Sequence, residues 1–458
     1  MIKKIGLFII IPTLLFSACQ TRSSGITSSS TSEPEPQELK TDIEVDMTPN
    51  FVEREEPYHL QFEYNDEYFN RPATTYDKDL SLVSFGAVLS GENASKTNAF
   101  YTKAQFNDFV IHHYEETPTE DSVGYFMGHK TIGKSELFTV SVRGFNYERE
   151  WANNFLIGAE GDHQGFLSRG NEIYEQLKTY ISSYKGDRTI KLWIIGYSRG
   201  GAIANVLSSL VLRNNEIAVE QNNMFTYTYE APACLSESNA IAYENVHNII
   251  NKNDLITNIP PASYGLGRCG VDYEIYDPEY STIIKTLDEN INIPEFVEID
   301  ASELLSKDED LVAYILKTVF NSTAEEQYLA NTRTQYVEHY QAGLSYMIGL
   351  LFALKPSTRS KMLTDLSNMG FSAITLISDE TGVEFANFFK TYLELDEISY
   401  DLATLTTHCI ALRNAAAYLL LFTLLIYINE DYSPSLMRLI DMHYVESVYV
   451  LLLNAHNK

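Results

Sequence analysis

Residues 196–200 read Gly-Tyr-Ser-Arg-Gly, a serine with a glycine two positions away on either side. A serine hydroxyl is a weak nucleophile until a base takes its proton, and it must stand clear of the backbone to reach a carbonyl carbon. The two glycines answer the second need. On a tight strand-to-helix turn the chain comes too close to itself at those positions to admit side chains. The flanks fit such a turn. T-I-K-L-W-I-I (189–195) is an apolar strand pattern, and Ile203, Val206, Leu207, Leu210 and Val211 recur at helical spacing beyond it. Gly201, Ala202 and Ala204 keep the first helical turns slim. A helix N-terminus there turns free N–H groups toward an oxyanion formed beside Ser198. The chemistry is acyl transfer on Ser198; a glycine-rich turn with an idle serine is the alternative.

Such a serine requires a base, a carboxylate to orient that base, and donors for the oxyanion. On strand–turn–helix sites the chain order is serine, acid, histidine. Asp254 follows the strand pattern H-N-I-I-N (247–251) and is the expected acid, with Asp272 as second candidate and a turn-forming role as the alternative. Four histidines lie beyond it: His339, His408, His443 and His456. His408 falls in an apolar helical stretch, His339 in the polar-faced Y-V-E-H-Y-Q, and His456 close to the end of the sequence. His443 immediately precedes a helical pattern carried by Val445, Val448, Tyr449 and Leu452, and is the expected base. The backbone N–H of Arg199, the residue after the nucleophile, is the expected first oxyanion donor.

The elements that must hold these residues alternate. L-F-T-V-S-V-R (137–143) reads as a strand, 166–184 as an amphipathic helix stopped by Gly186, and M-F-T-Y-T-Y-E (224–230) and 247–251 as further strands. This order predicts an α/β fold with a mostly parallel sheet and helices on both faces. The pattern from about 75 to 115 reads as helical. The stretch 272–310 carries thirteen Asp or Glu against Lys285 and Lys307. Helical patterns follow, and roughly 275–435 is read as a helical insertion or cap within a hydrolase domain spanning 51–458. Its apolar run from Ala415 to Ile428 is too short to cross a bilayer.

I-G-Y-S-R-G-G-A-I-A-N resembles the nucleophile turn of the class 3 (fungal-type) lipases and their bacterial relatives, where G-H-S-x-G-G-A is usual. Tyr197 stands in place of that histidine, a change the chemistry tolerates because the side chain does not act on substrate. V-R-G-F-N-Y-E-R-E-W-A-N-N-F (142–155) is similar to the family's R-G-T…W-x-x-N/D block, and D-H-Q-G-F (162–166) to its H-x-G-F helix opening. Y-T-Y-E-A-P (227–232) resembles F-T-F-A-T-P, and N-K-N-D-L-I-T-N-I-P (251–260) resembles N-x-x-D-x-V-P-x-L-P. H-Y-V-E-S-V-Y-V (443–450) is similar to the H-Y-P-E-x-Y-L of bacterial members, with Val445 in place of proline. The resemblance implies an α/β-hydrolase fold, a lipase- or esterase-like activity on an ester or lipid, and no cofactor. It also implies that the residue after Arg-Gly, Phe145, gives the second oxyanion donor. Phe145 lacks the hydroxyl that family members often carry there, so only its backbone N–H, or the Asn146 amide, can serve. Loss of one such donor costs on the order of 3 kcal/mol in the barrier. A non-catalytic surface binding protein and an acyltransferase or peptidase using the same triad are the competing functions.

The chain has 458 residues, 45% of them hydrophobic, enough for one elaborated domain or two. Lys+Arg 33 against Asp+Glu 62 gives a net charge of −29. So acidic a surface repels nucleic acid, which is excluded as a primary partner. No metal-ligand spacing or phosphate-cradling loop is visible, and His112, His113 and His129 read as ordinary residues. Oligomeric state is not legible. Lys3 and Lys4, the apolar run Ile5–Phe16 and the small Ser17 and Ala18 read as a signal peptide over 1–18. L-F-S-A-C resembles the bacterial lipobox, so lipidation of Cys19 and an exported protein anchored on the outer face of the cell membrane are expected. Residues 19–50, rich in Ser, Thr, Glu and Pro, read as a disordered linker. Of the remaining Cys234, Cys269 and Cys409, a Cys234–Cys269 bridge and three reduced thiols are both open.

Overall fold

The structure is a computed structural model. It describes residues 38–291 with breaks at 53, 55, 107, 115–121, 145–153, 155–160, 185, 255 and 259–264. Beyond these it describes scattered positions between 350 and 365, then 379–411 and 442–457. The expected signal peptide, Cys19, Phe145, His339 and the run 415–428 lie outside the described residues, as does most of the expected insertion over 275–435.

In chain order the strands are β1 (Lys40–Met47), β2 (Tyr58–Asn65), β3 (Asp108–His112), β4 (Tyr125–Ile132) and β5 (Ser135–Val142), then β6 (Thr189–Tyr197) and β7 (Met224–Tyr229). The short β8 (Leu235–Ser236), β9 (Val246–Asn251), the short β10 (Leu266–Gly267) and β11 (Val271–Ile275) follow. The helices are α1 (Lys78–Ser90), α2 (Ala94–Lys103), α3 (Gln164–Ser183), α4 (Arg199–Asn214) and α5 (Tyr280–Ile283), then α6 (Asp379–Leu395), α7 (Leu402–Ala411) and α8 (Val445–Asn457).

The central sheet has seven strands in the order β11-β9-β7-β6-β5-β4-β3. From β5 to β11 every pairing is parallel, and only β3–β4 and β4–β5 are antiparallel. Side chains alternate across it with the two-residue period of a strand. Trp193, Ile195 and Tyr197 of β6 join Phe225, Tyr227 and Tyr229 of β7 in a core with α1, α2, α8 and the β1–β2 hairpin. Leu192 and Ile194 face the other way, onto Phe166, Ile173 and Leu177 of α3 and Ile203, Val206 and Leu207 of α4. Both faces are thus covered, as parallel strands require. The architecture is α/β, a mostly parallel sheet between two layers of helices.

Two sequence expectations change. Residues 40–47 of the expected linker form a strand, because Ile43, Val45 and Met47 alternate with acids and lay an apolar stripe into the core. β1 pairs antiparallel with β2 along its full length. The helical reading of 75–115 holds through α2, but Phe109 and Val110 belong to edge strand β3. Val271–Ile275 completes the sheet beside β9 and ends where the expected insertion over 275–435 begins. Cys234 and Cys269 are buried free thiols, so the bridge between them does not form.

Candidate active site

The parallel strands end together. Val142 of β5 is level with Gly196 of β6, Tyr197 of β6 with Tyr229 of β7, and Tyr229 with Ile249 of β9. Open α/β sheets place their reactive groups beyond these carboxyl ends. Ser198 sits there as the single residue between β6 and α4. Its backbone is left-handed, φ 52° and ψ −125°, a conformation a non-glycine residue holds only when the surroundings impose it. Its N–H is fixed at 2.8 Å from the Tyr229 carbonyl, and its own carbonyl accepts the Ala202 N–H at 2.9 Å.

The flanking glycines are required by space. A Cβ at Gly196 would run into the Gly200 carbonyl, and one at Gly200 would run into the carbonyls of Val142 and Arg143. Gly196→Ala is expected to lower stability by about 1–3 kcal/mol, the usual cost of forcing extra volume into a packed site. Urea unfolding checks this, and an unchanged midpoint would contradict the elbow geometry.

Asp254 follows the end of β9 in a turn closed by its N–H on the Asn251 carbonyl, 2.9 Å. Its side chain is fully buried. One carboxylate oxygen, Oδ1, accepts the Ile256 N–H at 2.8 Å, and the other, Oδ2, lies 2.5 Å from His443 Nδ1. Nε2 of His443 lies 2.7 Å from Ser198 Oγ. The structure therefore brings Ser198, His443 and Asp254 into one line of hydrogen bonds, although the outer two members are 56 residues apart in sequence and His443 is 189 beyond Asp254 (443 − 254).

His443 is anchored where α8 begins. Tyr197 donates its hydroxyl to the His443 carbonyl, and its ring lies 5.4 Å from the imidazole. The Asn251 amide reaches the carbonyl of Met442 at 3.4 Å. Tyr197 thus carries a job that the sequence reading did not assign it, holding the backbone of the histidine. Burial pushes the imidazole down to about 4, and Glu230, when ionised, acts the other way. The side chain still keeps 14% of its surface exposed, so the serine–histidine pair is reachable from outside while Asp254 is not.

Arg199 opens α4, in the first turn, where the N–H groups have no partner within the helix itself. Its guanidinium is buried and donates to the Ser122 carbonyl at 3.3 Å, a structural contact away from the triad. Asp272 is not at the site. It lies on β11, 2.8 Å from the Arg268 guanidinium and 2.9 Å from the Asn248 amide. His456 faces Asp79 at 3.6 Å, and His408 is part of α7. His163, from the D-H-Q-G-F block, caps α3 and stacks on Phe166 with ring centroids 3.9 Å apart. His129 bonds Glu136 at 2.5 Å.

One residue at the site escaped the sequence reading. Glu230 is fully buried directly after β7, beside Asp254. The signal was present: in Y-T-Y-E-A-P a glutamate stands where the similar block F-T-F-A-T-P has alanine.

Residues 139–264 match the family Lipase (class 3). A lipase of Rhizomucor miehei is 29% identical over 154 residues, 32% of this chain and 38% of the relative, so the chain spans little over a third of that curated relative. The solved triacylglyceride lipase structure of Rhizomucor miehei is 22% identical, with a TM-score of 0.32, over 46% of this chain and 79% of that one. A lipase structure from Rhizopus microsporus var. chinensis is 18% identical, with a TM-score of 0.32, over 43% and 75%. The matched segment holds Ser198 and Asp254, runs from within β5 past the end of β9, and is similar to the class 3 lipases.

Proposed function

We propose that the chain is a serine hydrolase that cleaves carboxylic esters through an acyl-enzyme on Ser198. The observation that carries this reading is the continuous line of hydrogen bonds from Asp254 through His443 to Ser198 Oγ, set on a strained turn. In the productive tautomer Nδ1–H donates to Asp254 and Nε2 accepts from the serine hydroxyl. Nε2 takes the proton as Oγ attacks the ester carbonyl. The bond to the alcohol oxygen then breaks, and that oxygen leaves with the proton from Nε2. Water repeats the sequence on the acyl-enzyme, giving up its proton to Nε2 and releasing the acid and the free serine. Asp254 stays ionised and keeps the imidazole aimed. The N–H of Arg199 stabilises the oxyanion, with Phe145 as the second donor implied by the family resemblance.

The test is turnover of p-nitrophenyl esters of short and long acyl chain. Hydrolysis of either supports the reading, and the chain-length preference separates an esterase from a lipase. No turnover of either, together with no labelling by a fluorophosphonate, would overturn it in favour of a binding role.

The same reading includes export and lipidation at Cys19, supported by the basic, apolar and small-residue order that precedes it. Two acyl signals hold a protein stably on a membrane where one does not. Cys19→Ser is expected to move the protein from the membrane fraction to the medium, read by immunoblot of the two. Unchanged fractionation would sink the anchor.

A further inference from the structure

Glu230 leaves β7 with φ 49°, a left-handed backbone, and its N–H is held by the Ile249 carbonyl at 2.9 Å. Its two carboxylate oxygens share the Asn251 N–H at 3.0 and 3.1 Å. An oxygen of Glu230, an oxygen of Asp254 and a ring nitrogen of His443 all lie within 4.8 Å of one another, and both carboxyls are shut off from solvent. Two ionised carboxylates at that range, both buried, repel strongly. The pair therefore holds a proton at neutral pH and titrates as a unit.

The donors decide where that proton sits. Asp254 receives the Ile256 N–H on one oxygen and His443 Nδ1 on the other. Burial pushes the Asp254 carboxyl up too, to about 8, while hydrogen bonds from Glu230 and the Ile256 N–H and the charge of Arg268, 2.7 Å from the Thr257 carbonyl and 3.0 Å from that of Ala231, act toward its ionised form. Glu230 faces Asp254, His443 and the single Asn251 N–H. Burial pushes its carboxyl well above the usual carboxylate range, and the charge of Asp254 pushes the same way.

We infer that Glu230 is a positioning residue that keeps the proton of a Glu230–Asp254 carboxyl pair and, by donating it to Asp254, holds that carboxylate against His443 Nδ1–H. Its consequence for turnover rests on the ester-hydrolase reading. When Glu230 loses the proton at higher pH, two like charges meet and Asp254 loses its aim, so kcat acquires an alkaline limb. The neutral form belongs to the folded state, whereas the unfolded chain ionises Glu230 near 4.5. Stability is thus lost as pH rises from that value through the raised folded one.

Glu230→Gln is the decisive variant, because its amide N–H donates to Asp254 at every pH. It is expected to retain kcat at neutral pH and to lose the alkaline limb, whereas Glu230→Ala lowers kcat by about 10²-fold, the cost of a small misplacement. An infrared difference spectrum, wild type against Glu230→Gln at neutral pH, reads the proton without any substrate. A carboxylic-acid C=O band in the wild type that the variant lacks is expected; its absence would overturn the inference. So would an unchanged alkaline limb in Glu230→Gln, or a loss as large as that of the alanine variant. The band together with no ester turnover would leave the carboxyl pair standing and defeat the hydrolase reading alone.

Discussion

Replacing Ser198 by alanine is expected to abolish fluorophosphonate labelling and to lower kcat on p-nitrophenyl esters by about 10⁶-fold, the loss seen when a triad nucleophile is removed. The size follows from the way the members act together. Without Oγ, the base at Nε2 has no proton to take and the Arg199 N–H has no covalent oxyanion to stabilise. The residual rate should then belong to water attacking a bound ester. The fold should survive. Ser198 is held by its backbone, through Tyr229 and Ala202, and those bonds do not involve the hydroxyl. Alanine also keeps the positive φ no worse than serine does, so thermal unfolding should be nearly unchanged. Labelling that persists in a folded Ser198→Ala protein would place the nucleophile elsewhere and remove the basis of the proposed reaction.

How much of this was legible in the sequence depended on how local each signal was. β6, the elbow and α4 could be read because strand period, two glycines and helix period adjoin without a break. Asp254 and His443 could be named because chain order restricts where an acid and a base can fall. Edge elements were harder. β3 is only five residues long and half-buried, so its Phe109 and Val110 blended into the helical pattern before them. The β1–β2 hairpin was hidden by the acidic, serine-rich stretch preceding it, although Ile43, Val45 and Met47 carry a clean two-residue period. The partner contacts of the triad were out of reach. Tyr197 meets the His443 carbonyl across 246 residues, and Glu230 meets Asp254 only because β7 and β9 end level. Spacing along a chain does not encode such meetings; strand register does.

Removing the base gives the second large effect, and the wild type's acid limit tests the same histidine without mutation. His443→Ala is expected to lower kcat by about 10⁶-fold, and Asp254→Asn by about 10⁴-fold, because the asparagine amide favours the wrong imidazole tautomer. The base works only when neutral. An ordinary histidine is half protonated near 6.5, whereas burial pushes His443 down to about 4. Activity should therefore persist below pH 6.5 and collapse only where Nε2 gains a proton and can no longer take one from Ser198, a point that the ionised Asp254 against Nδ1 draws up from about 4. The same shift has a cost in stability. The unfolded chain binds a proton below 6.5 that the folded site resists, so stability falls as pH drops from 6.5 toward 4. The kcat/KM profile reads the first effect, and thermal unfolding of Glu230→Gln, which lacks the opposing contribution of the Glu230 proton, reads the second across the same range. An acid limb centred at 6.5 would mean that the imidazole is solvated and charged in the free protein. The buried line from Asp254 to Ser198 would then not be the working form of the site.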